Sequence, residues 1–231
     1  MTIIADSLQA IQANIHAALR AVNRHDEVKL LAVSKAQPAN RLRDAYLSGQ
    51  RLFGENYVQE AVNKQLQLSD LNIEWHFIGP IQSNKTLLIA QHFDWVHSVD
   101  RLKIAQRLSS ARLNTLAPLN VCIQINSSEE ATKSGADLME ITALAAAINQ
   151  LPNLKLRGLM SIPAPANDYD TQRAQFKIVS EIFNRLQQQG FNLDTLSIGM
   201  SDDYVAAIHQ GATIVRLGAA LFGTRPALTI Q

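Results

Sequence analysis

Eight short runs of apolar and β-branched residues recur along the chain, at KLLAVS, RLFGE, EWHFIG, WVHSV, LNVCIQIN, LRGLMSI, LSIGM and TIVRLG, with helix-spaced stretches between nearly all of them. Strand runs that are apolar on both faces belong in a parallel sheet covered by helices. Eight such units in 231 residues fit a single (β/α)8 barrel of the TIM type, a little short of the typical ~250 residues. A doubly wound open sheet is the rival, because pattern alone does not show closure. The strand at 29–34 runs into KAQPAN, without the glycine-rich turn of a dinucleotide fold, and the barrel is favoured.

Ahead of the first strand, Leu8, Ile11, Ile15, Leu19 and Val22 share one face of an extra N-terminal helix. The spacing of Leu138, Ile141, Ala145 and Ile148 predicts a helix over 136–150, stopped by Pro152. Phe176, Val179, Phe183 and Leu186 predict another over about 170–189, ended by Gly190. Ser83 reads as the N-cap of NKTLLIAQH. No low-complexity linker or charge block interrupts the pattern, so residues 1–231 are expected to form one domain.

The charge balance, 21 basic against 20 acidic side chains, gives no electrostatic case for nucleic acid or an anionic membrane. Cys122 is the sole cysteine, which excludes an intrachain disulfide and a cysteine-rich zinc site. His92 and His97 lack the spacing of a metal site. The N-terminus does not read as a signal peptide, and no stretch is long and apolar enough to span a bilayer. The expectation is a cytoplasmic protein, monomeric by default.

In a barrel of this type the working residues lie at the C-terminal ends of the strands. Leu31, Val33 and Lys35 fall on one strand face, which brings the Lys35 amine to the barrel mouth. A partly desolvated lysine is a nucleophile toward carbonyls, although from position alone a rim lysine snorkelling to water accounts for it slightly better. In TLSIGMSDDYVAAIHQG, a helix starting near Ser201 would aim the Met200 and Ser201 amides at an anion, with Gly199 admitting the ligand. That works only if Asp202 and Asp203 face elsewhere; a serine-capped helix is the plain alternative. In ATIVRLGAALFGTR, Ile214, Arg216 and Gly218 share a face. A buried arginine needs acceptors, and a structural salt bridge, to Glu55 for example, explains it as well as a ligand does. A nucleophilic amine, an anion cradle after strands seven and eight, and an interior arginine together suit a phosphorylated aldehyde, with pyridoxal 5′-phosphate (PLP) the obvious one. His76 reads as a core histidine with one hydrogen bond, and Lys133, in SSEEATKSG, as a surface lysine.

The segments AVSKAQP, FGENYVQEA, WHFIGPIQSNK, SVD, TKSG, RGLMSIP, LSIGMSDDYVAAI and GATIVRLGAALFGTR resemble, in order, the pyridoxal phosphate homeostasis protein family, a relative of the alanine racemase N-terminal barrel. The resemblance implies PLP held as a Schiff base on Lys35, Asn56 near its ring, and Arg216 facing its pyridine nitrogen. Ser201, the Met200 backbone and Gly218 would hold the phosphate. It implies storage and delivery of PLP, for vitamin B6 homeostasis, with no established turnover and with PLP-dependent apo-enzymes as possible recipients. An always-cationic arginine at the ring nitrogen weakens the ring as an electron sink, and only TRPALTIQ follows Gly223 where a racemase carries a second domain. The alternatives are a small PLP-dependent racemase or lyase, with His76, Tyr57 or Lys133 moving the proton, and a PLP-sensing interaction protein.

Overall fold

In the computed structural model, which describes residues 3–126 and 135–223, all eight runs become strands. They are β1 (Lys29–Val33), β2 (Leu52–Glu55), β3 (Glu74–Phe77), β4 (Trp95–Val99), β5 (Leu119–Ile125), β6 (Leu154–Ser161), β7 (Thr195–Ser197) and β8 (Ile214–Leu217). They pair in chain order, all in parallel, and β8 closes on β1, so the sheet is a closed barrel and not an open one. The described helices are α1 (Ile3–Ala21), α2 (Ala39–Leu47), α3 (Val58–Gln67), α4 (Thr86–His92), α5 (Leu102–Ala111), α6 (Ile141–Asn149), α7 (Tyr169–Gln188), α8 (Tyr204–His209) and α9 (Ala219–Phe222).

Strand alternation sorts the side chains into two sets. Leu30, Ala32, Phe53, Trp75, Phe77, Val96, Ile123, Leu159, Leu196 and Val215 join the helix faces in one extensive apolar core. The other set fills the barrel, where Trp95, Cys122 and Met160 form a small cluster of their own. Gly54 faces this interior, since a Cβ there would lie 3.1 Å from Ile78 Cδ1 and 3.2 Å from Leu31 Cγ. Barrels of this kind are usually filled by branched aliphatics. Here His76, His97, Ser197 and Arg216 are buried in the interior as well.

α1 buries Leu8, Ile11, Ile15 and Leu19 as the spacing requires, and Val22 falls just past its end. α7 buries Phe176, Val179, Phe183 and Leu186, and its first turn is capped by Asp168, which accepts the Thr171 N–H at 2.8 Å. Three helix starts lie later than the sequence predicts. α6 begins at Ile141 because Ala136 is drawn into a bridge with Ile125, its N–H donating to Gln124 O at 2.8 Å. Ser83 caps nothing: Ser83–Lys85 is a 3-10 turn, and the Thr86 hydroxyl donates back to Ser83 O at 2.9 Å. α8 begins at Tyr204, so Ser201 lies in the turn before it and is not its cap.

Candidate functional site at the strand ends

Lys35, Asn56, Met200, Ser201, Arg216 and Gly218 come from β1, β2, the β7–α8 turn and β8, four contiguous strands of the closed barrel. Leu31 pairs with Arg216, and Gly218 abuts Val33, whose carbonyl oxygen lies 3.1 Å from where a Gly218 Cβ would be. Lys35, two residues beyond Val33 and half-buried, therefore lies next to the end of β8.

The turn carrying Lys35 is clamped from outside the barrel. Glu55 faces outward and is fully buried with Lys64, whose Nζ lies 2.7 Å from Glu55 Oε1 and 2.6 Å from Glu60 Oε1. Lys64 also donates to Ser34 O at 2.7 Å, the Ser34 hydroxyl donates to Glu55 Oε1 at 2.6 Å, and the Ala36 N–H donates to Glu60 Oε1 at 2.6 Å. Both neighbours of Lys35 are thus fixed, and Ala36 is held at φ +59°, a left-handed conformation that costs a residue with a Cβ about 1–2 kcal/mol. Burial pushes the Glu55 carboxyl up, and Lys64 opposes the shift. Lys64 takes the partner the sequence offered to Arg216.

Arg216 instead donates to neutral oxygens: from Nη1 to Ser197 O and, at 3.0 Å, to Ser197 Oγ, and from Nη2 to Ser161 O at 2.9 Å. Burial pulls its pKa down to about 10. A guanidinium has five N–H donors, so the Nε–H and one Nη2 hydrogen stay uncommitted among the described residues. Asn56 Oδ1 is likewise buried without a hydrogen-bond partner. Buried polar groups are nearly always paired, so an orphaned acceptor and spare donors at one mouth fit a polar ligand there. A cavity of about 350 Å³ adjoins Asn56, between Tyr57, Phe77, Pro80 and Lys85. A larger one, about 780 Å³, lies under α1 at the starts of β1 and β2, away from the strand ends.

The β7–α8 turn differs from expectation in two respects. Gly199 (φ +93°) does not open space for a ligand: a Cβ there would lie 2.6 Å from Ala207 Cβ, so the glycine lets α8 pack onto the strand end. The Met200 N–H is already taken, donating to Asp203 Oδ1 at 2.5 Å. Desolvation raises the Asp203 carboxyl, which also feels Arg216. The half-buried Ser201 hydroxyl is engaged by no described residue.

His76 points inward, as one strand face predicts, but makes two hydrogen bonds and not one. Its Nδ1 lies 2.8 Å from His97 Nε2 and its Nε2 lies 2.9 Å from Glu74 Oε1; His97 Nδ1 lies 2.8 Å from Ser197 Oγ. Glu74, Ser197 and Lys64 were not singled out from the sequence, and His97 was weighed only as a metal ligand and set aside. The period-two faces of EWHF and WVHS carried the signal for Glu74 and His97. Lys133 lies outside the described residues, and no metal-binding cluster of His, Cys, Asp or Glu exists among those described.

A (β/α)8 barrel with a lysine just past the end of its first strand and an arginine on its last is the architecture, and comparison with known proteins gives the family. The alanine racemase N-terminal domain family matches residues 7–226. The chain is 56% identical to the pyridoxal phosphate homeostasis protein of Pseudomonas aeruginosa, covering 97% of each, and 50% identical to that of Escherichia coli K12, covering 97% of this chain and 98% of the other. Among solved structures, PipY of Synechococcus elongatus with PLP bound is 37% identical with a TM-score of 0.84, over 95% of this chain and all of that one. Alanine racemase from Corynebacterium glutamicum, 18% identical with a TM-score of 0.67, shares the fold. The chain belongs to the pyridoxal phosphate homeostasis protein family.

Proposed function

We propose that this protein binds PLP at the ends of β7, β8, β1 and β2, holds it covalently through the Lys35 amine, and stores and delivers it in the cytoplasm with little or no turnover. The observation that carries this reading is that Lys35, just beyond β1, and Arg216, on the adjacent β8, lie at the same end of the barrel as Asn56 with its orphaned Oδ1, just beyond β2. The PLP-bound PipY relative supports it. PLP supplies an aldehyde that condenses with a lysine amine, releasing one water, and a ring that withdraws electrons.

In this reading the clamp on Ser34 and Ala36 holds the amine in place, Arg216 gives an N–H to the ring nitrogen, and Asn56 orients the ring. A donor that stays cationic leaves that nitrogen unprotonated, so carbanion chemistry gains little. Ser201 and the Gly218 amide take the phosphate. Met200 joins them only when Asp203 releases its N–H, a competition between carboxylate and phosphate that suits a protein that must let its ligand go. A racemase or lyase would need a proton-moving group at the ring. His76 is committed on both nitrogens and Tyr57 is 63% exposed, so neither favours that reading. PLP-dependent apo-enzymes are the proposed recipients, and a monomer is the proposed state.

Wild-type protein supplied with PLP should turn yellow and Lys35→Ala should not, with no α-proton exchange of amino acids in deuterated water above background. Colour that survives Lys35→Ala, or exchange that depends on Lys35, would count against the proposal.

A further inference from the structure

The interior polar residues form an unbroken hydrogen-bonded chain from Arg216 through Ser197, His97 and His76 to Glu74. The site at the strand ends uses Arg216 and none of the others. Glu74 stands at the start of β3, at the opposite end of the barrel, with its side chain 41% exposed, whereas both imidazoles are fully buried.

The two ends fix the direction of every bond. A guanidinium can only donate and a carboxylate can only accept. The His76 hydrogen bond holds the Glu74 carboxyl below its usual range, so Glu74 is ionised, and burial lowers both histidines, so both are neutral. His76 must then carry its proton on Nε2 and accept on Nδ1. His97 must donate from Nε2 and accept on Nδ1, and the Ser197 hydroxyl must point its proton at His97. Ser197 Oγ is left to accept from Arg216, as its 3.0 Å contact with Nη1 requires. Every lone pair in the chain faces Arg216 and every proton faces Glu74. Bonds aligned in this way polarise one another, and the aligned set offers its negative ends to a buried cation that no carboxylate among the described residues touches.

We infer that Glu74, His76, His97 and Ser197 are positioning residues for Arg216: a one-directional chain through the barrel, set by the carboxylate at its far end, that holds the guanidinium as a donor toward the ring nitrogen. The two histidines share one bond, so their tautomers are locked together: both Nε2–H, or both Nδ1–H. In the reverse direction His97 and Arg216 would both donate to Ser197 Oγ, and the hydroxyl proton would need another acceptor. Removing Glu74 therefore lifts one of the two constraints and lets reversed chains be populated without touching Arg216.

The first arm of the test uses protein without PLP, so it stands apart from the functional reading; the second rests on that reading. Nitrogen-15 NMR of ring-labelled histidines should show His76 and His97 as neutral Nε2–H tautomers in the wild type. Glu74→Ala, a truncation at a part-exposed position, should move both in lockstep toward Nδ1–H, and Glu74→Gln, which keeps an acceptor oxygen, should restore the wild-type pattern. PLP should leave Glu74→Ala roughly two- to tenfold faster, the range for losing one well-made hydrogen bond. Adding Ser197→Ala, which cuts the chain next to Arg216, should abolish that difference. An Nδ1–H or doubly protonated His97 in the wild type would overturn the inference, as would tautomers unmoved by Glu74→Ala. Reversed tautomers with an unchanged PLP release rate would overturn the coupling to Arg216.

Discussion

Lys64 sits almost wholly out of water, its amine among two carboxylates and the Ser34 carbonyl, and the backbone on both sides of Lys35 rests on that cluster. Removing one partner of a buried ion pair leaves the other charged and unpaired, which typically costs about 3–5 kcal/mol. Lys64→Met should therefore lower stability by roughly that much in urea unfolding, and should slow PLP attachment because Ser34 and Ala36 lose their anchors. Unchanged stability would show that Glu55 is not held as an ion. At the mouth, Asp203→Asn keeps an oxygen for the Met200 N–H but removes a negative charge beside the proposed phosphate site. PLP should then be released several-fold more slowly, read as the decay of cofactor absorbance on dilution.

The β7–α8 turn ties site to fold at the scale of elements. A Gly199→Ala methyl would meet Ala207 Cβ at 2.6 Å in a backbone with positive φ, so α8 or the strand end must move. Thermal unfolding should show a loss of about 1–3 kcal/mol, with weaker PLP retention because Ser201 shifts with the turn. The strands themselves were legible in the sequence: eight apolar runs became eight barrel strands. Helix starts were less so. Ala136 was captured by the end of β5, a tertiary contact that no local spacing encodes. At Gly199 the residue was read correctly as special but for the wrong neighbour, since sequence does not reveal which surface closes on a glycine. The Lys64 cluster and the Glu74-to-Arg216 chain stayed hidden for the same reason. Their members are scattered in sequence, and only closure of the barrel brings Ser197 beside His97.

At the scale of the molecule, a barrel with a polar interior carries a pH liability. His76 and His97 are held below the ordinary imidazole value of 6.5, chiefly by burial, so as pH falls through 6.5 the unfolded chain takes up protons that the folded chain refuses. The unfolded state then binds more protons, stability falls with decreasing pH, and the slope approaches roughly 1.4 kcal/mol per pH unit for each histidine. Urea unfolding at about pH 7 and about pH 5.5 should show this loss, and a His97→Gln protein should show a shallower one. Equal stability at both values would mean that the imidazoles are charged in the folded barrel. The most direct test of PLP held just past the end of the first strand of that barrel is borohydride reduction of the PLP-loaded protein, followed by peptide mapping. The pyridoxyl group should be found on Lys35; a label on any other lysine, or no label on folded protein supplied with PLP, would contradict it.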